Sequence, residues 1–156
     1  MAIEYFHINE DDYNMLEQLT ELEAEVHGGR ASGLDYLEVY SCVKYGQVYV
    51  AIEYDEILGA AYFYRDFNNP GKCFLYEILV KPSETGKHIG ELLLLSAFED
   101  LKNLERNRIR IIEVCVHSSN AKALKVYKDA LGFNVINSKE DGEYEETEYF
   151  VLRKTL

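Results

Sequence analysis

The residues best suited to chemistry lie between Tyr76 and Gly90, which read Tyr-Glu-Ile-Leu-Val-Lys-Pro-Ser-Glu-Thr-Gly-Lys-His-Ile-Gly. This stretch ends an apolar strand, turns through a loop that contains glycine and enters a helix. Such a turn directs several unpaired backbone N–H groups toward one point, with the positive end of the helix behind them. The arrangement predicts an anion site, and a diphosphate is the ligand that fits it.

The spacing of these residues excludes two other phosphate-binding motifs. A P-loop requires Gly-x-x-x-x-Gly-Lys-Ser/Thr, whereas Gly86-Lys87 is followed by His88 and position 81 is a lysine. A dinucleotide fingerprint requires Gly-x-Gly-x-x-Gly, and no such run occurs in the sequence. Both motifs are therefore excluded.

The elements that must position this loop are predicted from apolar patterning and from capping and turn residues. We predict strands at 3–8, 48–54, 57–64, 73–80, 109–116, 133–137 and 149–152. Helices are predicted between the caps at 9–12 and Gly28, and at 34–44, 92–104 and 121–131. The strand, helix and strand from 73 to 116 predict a parallel pair with a right-handed crossover. We therefore expect one α/β domain over residues 1–156, with a mixed sheet and helices on both faces.

The overall charge argues against two classes of partner. The chain has 156 residues, with 28 acidic residues against 16 Lys and Arg and a net charge of −12. This balance disfavours nucleic-acid binding and anionic membranes, which both require positive charge. No apolar run reaches the ~18 residues of a spanning helix, and the N-terminus lacks the pattern of a signal peptide. We therefore expect a cytoplasmic protein.

The cysteines and histidines predict neither disulfides nor a metal site. The three cysteines, Cys42, Cys73 and Cys115, are far apart in the sequence, and we expect buried thiols in a reducing compartment. The four histidines are equally scattered and show no ligand spacing. We therefore expect no bound metal.

Charge is unevenly distributed along the chain. Residues 1–29 contain eight acidic residues and no Lys or Arg, whereas residues 85–131 contain eight basic residues and six acidic ones. A solvated acidic surface is the simple interpretation. A more specific hypothesis is that an anionic ligand contacts the later part of the chain and a cationic one contacts the earlier part.

The loop resembles the acyl-CoA loop of the GNAT superfamily of N-acetyltransferases. That pattern is Arg/Gln-x-x-Gly-x-Gly/Ala after an apolar-Val-x-Pro step, and here Leu79-Val80-Lys81-Pro82 precedes Thr85-Gly86-Lys87-His88-Ile89-Gly90. Downstream, residues 120–127 and Leu131-Gly132-Phe133 resemble the second motif of the family. The resemblance covers residues 47–150. Thr85 stands where Arg or Gln is usual, and His88 where Gly is usual.

The resemblance implies a GNAT-like fold, with a mostly antiparallel sheet around a central parallel pair, and acetyl-CoA as cofactor. The acceptor side would lie within about 1–46 and the cofactor core within about 47–156. Backbone groups of Leu79 and Val80 would bind the pantetheine arm, and the diphosphate would contact Thr85, Gly86, Lys87, His88, Ile89 and Gly90. Asn120 would touch the pantetheine arm, and Tyr127 would protonate the departing thiolate. Alternatively, Asn120 is a helix cap and Tyr127 a packing aromatic.

Acetyl transfer to an amine also requires a base, since most amines are protonated at pH 7. Glu77 is the first candidate because it lies on the strand that leads into the loop, on the same side as Leu79. The alternatives are a water molecule as base and a structural salt bridge for Glu77, and Glu113 is a weaker candidate.

We expect Cys115 and His117 to form no catalytic pair. Lys122, Lys125 and Lys128 are candidates for the terminal phosphate of the cofactor, with a solvated helix face as the simpler interpretation.

The resulting hypothesis is direct acetyl transfer from acetyl-CoA to a primary amine of a small molecule or protein. The acidic flanks favour a cationic acceptor such as a polyamine, an aminoglycoside, or a protein Lys or N-terminus. Family analogy leaves a homodimer open. A non-catalytic CoA-binding module is the alternative, and Thr85 and His88 keep it open. A structural protein without a cofactor is a third hypothesis.

Overall fold

The computed structural model describes residues 2–141 and 144–156, and it contains seven strands and four α-helices. The strands are β1 (Glu4–His7), β2 (Gln47–Glu53), β3 (Glu56–Arg65), β4 (Lys72–Val80), β5 (Ile111–His117), β6 (Asn134–Asp141) and β7 (Tyr144–Thr155). The helices are α1 (Tyr13–His27), α2 (Tyr36–Tyr45), α3 (Ile89–Lys102) and α4 (Ala121–Lys125). None of the helices in the described residues is long and apolar enough to span a bilayer.

The strands form a mixed sheet in the order β1-β2-β3-β4-β5-β7-β6. The β1–β2, β2–β3, β5–β7 and β6–β7 pairs are antiparallel, whereas β4 and β5 are parallel. This topology confirms the predicted mixed α/β class with a central parallel pair. The division into an acceptor side and a cofactor core stays a prediction, because the described chain forms two compact units with other boundaries.

Several element boundaries differ from the predictions. Helix α3 begins at Ile89 rather than at 92, so Gly90 lies in its first turn. The predicted helix at 121–131 consists of α4 and a π-helical turn at Val126–Ala130. The last strand begins at Tyr144, earlier than predicted.

The prediction of three buried thiols is wrong for one cysteine. Cys42 and Cys73 are buried, but Cys115 is exposed. Side chains alternate along a strand, and the buried face of β5 is taken by Ile112, Val114 and Val116. Position 115 therefore points away from that core.

The first unit comprises the described residues up to Tyr64 together with Tyr76–Asp100. Helices α1 and α2 pack with the strands of this unit around an apolar core, whose members include Leu16, Leu19, Leu22, Val39, Val43, Val48, Val50, Ile52 and Tyr62. Burying each such aliphatic side chain contributes about 1.5–3 kcal/mol relative to exposure. This core fixes the face that α1 presents to the sheet.

Hydrogen bonds within α1 and at the ends of α1 and α2 position these two helices. The side chain of Gln18 bridges α1 to the β2–β3 turn, accepting from Ile57 N at 2.9 Å and donating to Asp55 O at 3.0 Å. Helix α1 ends at Gly28, whose φ of +81° suits glycine. Helix α2 begins with a capping box, in which Asp35 and Glu38 each accept the amide of the other.

The second unit comprises Arg65–Leu75 and Leu101–Leu156. In it, the parallel register of β4 and β5 runs from Lys72↔Ile111 to Phe74↔Glu113, and β7 pairs with the other edge of β5. Helix α4 lies between β5 and β6 in the chain and is capped by the side chain of Asn120.

Candidate active site

The C-terminal end of α1 and the strand β4 bring three ionisable side chains together in the first unit. His27 Nε2 lies 2.6 Å from Glu77 Oε1 and 3.3 Å from Glu23 Oε2. An imidazole between two carboxyl groups donates to an ionised carboxylate, because that form can only accept. We call Glu23, His27 and Glu77 the acidic cluster.

Burial differs sharply within the acidic cluster. The side chain of Glu23 is fully buried, that of Glu77 is 16% exposed and that of His27 is 37% exposed. The cluster therefore runs from the interior to solvent, with Glu77 in contact with the imidazole that reaches water.

The buried position of Glu23 sets its protonation. Burial first and then the nearby Glu77 raise the pKa of Glu23 to about 7, although the hydrogen bond from the Leu34 amide at 3.2 Å opposes the shift. Glu23 Oε1 and the hydroxyl of Tyr62 are buried without a hydrogen-bond partner among the described residues. Burial and then the charges of Glu23 and Glu77 raise the pKa of Tyr62. A proton on Glu23 reduces the cost of holding two carboxyl groups here.

Sequence reasoning selected Glu77 but missed Glu23 and His27. One signal was present, since Glu23 stands four residues after Leu19 and seven after Leu16, in the apolar stripe of α1. A glutamate in such a stripe predicts a buried carboxyl group. The proximity of His27 to Glu77 depends on tertiary packing, and no local pattern encodes it.

An open groove adjoins the acidic cluster in the same unit. It has a volume of about 350 Å³ and is lined by Leu34, Leu37, Glu38, Ser41, Cys42, Tyr64 and Tyr76. We call it the α2 groove, because four of these residues lie on α2. The rings of Tyr64 and Tyr76 meet edge to face at 5.4 Å, and the Tyr64 hydroxyl lies 3.0 Å from Cys42 Sγ.

Two electrostatic effects connect the groove to the acidic cluster. Burial raises the pKa of Cys42, and the charges of Glu23 and Glu77 add to that shift. The pKa of Tyr76 is also raised by burial first and then by the charge of Glu77. The negative charge of the acidic cluster therefore acts on Cys42 and Tyr76 in the lining of the groove.

The loop after β4 also belongs to this unit. Leu79 is buried and Val80 half-buried, and the amide of Lys81 donates to Leu58 O at 2.8 Å. A 3₁₀ turn at Pro82–Glu84 follows, and the Thr85 hydroxyl donates to Pro82 O at 3.1 Å. The hydroxyl of Thr85 is thus used within the turn.

The loop takes two left-handed backbone conformations. Gly86 has a φ of +83° and His88 a φ of +61°. Glycine adopts this region without strain, whereas for a residue with Cβ the left-handed conformation costs about 1–2 kcal/mol of conformational free energy. Position 88, where the GNAT pattern has glycine, therefore keeps a left-handed conformation although its residue is histidine.

Backbone amides are the groups of this loop that are best placed to contact an anion. Among the described residues, the first amide after Glu84 that has a backbone acceptor is that of Leu92, which donates to His88 O. The nearby basic side chains lie against carboxylates, since Lys81 pairs with Glu56, Lys87 Nζ lies 2.6 Å from Glu84 and His88 Nδ1 lies 3.3 Å from Glu91. The loop can therefore hold a diphosphate with its amides and the N-terminus of α3.

Gly90 has a packing role in the same region. A Cβ there would lie 3.4 Å from both Ile78 Cδ1 and Val80 Cγ2. The small residue lets the first turn of α3 lie close to β4. Ile89, its neighbour, is buried.

The second unit holds Asn120 and Tyr127. Asn120 Oδ1 accepts from Ala123 N at 3.1 Å, so the side chain serves as a helix cap. Tyr127 is 7% exposed, its ring lies 5.3 Å from that of Phe133, and burial raises its pKa to about 12. Tyr127 is therefore a neutral phenol at physiological pH.

Two further residues that the sequence singled out, Glu113 and His117, have structural contacts. Glu113 pairs with Lys72 at 3.1 Å and Arg153 at 2.9 Å; burial acts to raise its pKa, but these hydrogen bonds outweigh it and lower the pKa. His117 Nδ1 lies 2.6 Å from Ser119 Oγ. The three candidate lysines of the terminal phosphate are exposed: Lys122, Lys125 and Lys128.

Comparisons with known proteins agree with this architecture. The sequence profile of the Acetyltransferase (GNAT) family matches residues 14–133. A GNAT-family acetyltransferase from Streptococcus pneumoniae has a TM-score of 0.79 and 18% identity, with 99% of each chain covered. No curated protein matches the sequence significantly.

Two further solved structures share the fold. The ribosomal-protein-S18-alanine N-acetyltransferase from Escherichia coli has a TM-score of 0.77 and 16% identity, covering 99% of this chain and 94% of that one. An aminoglycoside 6'-N-acetyltransferase complexed with coenzyme A has a TM-score of 0.76 and 15% identity, covering 99% of this chain and 97% of that one.

Proposed function

The chain belongs to the GNAT acetyltransferase family, and we propose that it transfers an acetyl group from acetyl-CoA to a primary amine by direct attack in a ternary complex. The observation that carries the proposal is the position of Glu77. Its carboxylate lies 2.6 Å from a solvent-reaching imidazole, on the strand that runs through Leu79 into the amide-lined loop. A base and a cofactor-binding segment thus share one strand.

Glu77 is the base in this proposal. The acceptor amine must lose a proton to attack a carbonyl carbon, and Glu77 takes that proton directly or through a water molecule. Once Glu77 is protonated, its O–H donates to His27 Nε2 in the tautomer that holds the imidazole proton on Nδ1, and the exposed ring then releases a proton from Nδ1 to solvent. Glu23 is a positioning residue, since its Oε2 lies 3.3 Å from His27 Nε2 and accepts the Leu34 amide.

The cofactor contacts follow from the loop. Acetyl-CoA supplies the thioester, and its diphosphate fits the amides from Gly86 to Gly90. The backbone of Leu79 and Val80 would position the pantetheine arm. Asn120 is a contact for the same arm through the polar atoms that its capping bond leaves unused.

Tyr127 is the proposed acid. Its raised pKa keeps the hydroxyl protonated at physiological pH, so it can give a proton to the departing thiolate. A Tyr127→Phe variant tests this role, because the ring and its packing on Phe133 remain. Lost turnover with unchanged acetyl-CoA binding supports the role, whereas unchanged turnover removes Tyr127 from the mechanism.

Thermal unfolding with and without acetyl-CoA tests the cofactor half of the proposal. Ligand at ~100 times its dissociation constant stabilises a single site by about 2.7 kcal/mol, which is several degrees for a chain of this size. The expected result is such a shift, followed by turnover in a screen of amines. No shift at millimolar acetyl-CoA would overturn it.

A non-catalytic CoA-binding module is the second candidate. The observation that favours it is His88, which holds a left-handed conformation at the position where glycine is usual. The two candidates separate in the same assay, because a module binds acetyl-CoA but acetylates no amine. The Glu77–His27 contact favours the enzyme, since binding alone requires no base.

A further inference from the structure

The α2 groove combines two leucines and two tyrosines with Glu38, Ser41 and Cys42, and we propose that its leucine and tyrosine side chains hold the apolar body of a primary monoamine. This inference rests on the proposed function, because it names the class of acceptor for the same site. Leu34, Leu37, Tyr64 and Tyr76 supply most of the lining. Leu37 is 72% exposed, so the groove presents a large apolar side chain to solvent.

The position of the amine follows from charge. Leu34 lines the groove and its backbone amide donates to Glu23 Oε2 at 3.2 Å, and Tyr76 of the lining precedes Glu77 on β4, so one end of the groove adjoins the acidic cluster. An ammonium group is therefore attracted toward the end of the groove that adjoins the acidic cluster. There Glu77 can take its proton, while the body of the acceptor lies along the aromatic and leucine side chains.

The same lining disfavours a polycation. Glu38 is the acidic residue of the groove, and its Oε2 already accepts the Asp35 amide at 2.8 Å. Because Glu38 is exposed, its attraction for a second ammonium is largely screened by water. A distal charge would otherwise lie against Leu34, Leu37 or Tyr64, where losing its hydration is unfavourable. The structure thus narrows the cationic acceptors expected from the sequence to amines with one charge.

The expected effect can be measured with amines that differ in one feature. Each buried methylene strengthens binding about fourfold. Hexylamine has three more methylenes than propylamine, and even partial burial of these groups gives a gain of about tenfold or more. 1,6-Diaminohexane has the same six-carbon chain and adds a second amino group, so it is the matched comparison for the polycation alternative.

The test measures binding separately from turnover. Propylamine, hexylamine and 1,6-diaminohexane are titrated calorimetrically into the full chain saturated with CoA, with EDTA present because Glu23, His27 and Glu77 could retain a trace metal ion. Acetylation of the same amines is measured in parallel. Leu37→Asp places a charge in the groove, and Leu95→Asp is the control, since Leu95 is a 46% exposed leucine of α3 that does not line the groove.

We expect hexylamine to bind about tenfold or more tightly than propylamine and more tightly than 1,6-diaminohexane. Leu37→Asp should remove this preference and Leu95→Asp should keep it. Equal affinities, a preference for the diamine, or no binding of any amine overturns the inference. Tighter binding of hexylamine without acetylation supports the groove as the binding site of the apolar body, and overturns the proposed function instead.

Discussion

The acidic cluster and the loop after β4 belong to one unit but achieve their chemistry in different ways. The cluster depends on the side chains of Glu23, His27 and Glu77, the first of them fully buried. In the proposed function the loop binds the cofactor through backbone amides, because its basic side chains lie against carboxylates. A side-chain site should be sensitive to single substitutions and to pH, whereas a backbone site should tolerate changes of residue type.

The largest expected effect is at the side-chain site. Glu77→Gln removes the proton acceptor and keeps the shape, so kcat should fall by about 100-fold or more, the range of a lost general base. The acetyl-CoA dissociation constant should be unchanged. Steady-state kinetics and calorimetry measure the two quantities.

The control for Glu77→Gln is Glu21→Gln, which neutralises an exposed carboxylate of α1. It should leave kcat within about twofold, because exposed charges contribute little. Equal losses in the two variants would mean that overall charge, rather than the acidic cluster, determines the rate.

The second effect is on stability against pH. The pKa of Glu23 is raised to about 7 in the folded chain, so the folded state holds a proton that the unfolded state releases at lower pH. Stability should therefore fall as pH rises from about 5 to about 7, by about 3 kcal/mol at most. Denaturant unfolding across this range measures the slope.

Glu23→Gln removes that titration, so its slope over the same interval should be flatter than that of the wild type. Stability that rises from pH 5 to 7 equally in both proteins would contradict the burial of a protonated Glu23. The Glu21→Gln variant again serves as the control.

The third effect is on the proton path. His27→Gln keeps a donor to Glu77 but cannot carry a proton, and kcat should fall by about tenfold. Added imidazole should restore part of the rate if His27 is a proton carrier. A loss that imidazole leaves unchanged would indicate a purely structural role.

The smallest effect is at the backbone site. His88→Gly relieves a residue at φ +61° and should stabilise the chain by less than about 1 kcal/mol, since glycine also loses entropy on folding. Acetyl-CoA affinity should change by less than about threefold, because the amide remains. Asn107→Gly is the matched control at φ +51°. A large change in affinity for His88→Gly would assign the binding to its side chain.

The contrast also explains what the sequence could predict. Loop residues 79–90 are contiguous, so their motif and the left-handed conformation of Gly86 follow from local order. The parallel β4–β5 pair follows from the strand–helix–strand pattern. Glu77 was accessible to prediction because it lies on the strand before the loop.

The rest depended on tertiary packing. Glu23 and His27 reach Glu77 only because α1 packs against the sheet through Leu16 and Leu19. The exposure of Cys115 is an exception, because the alternation of β5 already places this residue on the polar face with Glu113 and His117. The α2 groove likewise joins residues from α2, β3 and β4 that are distant in sequence.

The most direct test of the central claim is the stoichiometry of the reaction. Wild-type protein is incubated with acetyl-CoA and hexylamine, and released thiol and N-acetylhexylamine are quantified together. The account predicts that they appear in equal amounts and that Glu77→Gln slows both to the same extent. Thiol release without acetylated amine, or bound acetyl-CoA that yields neither product with any amine, would contradict it.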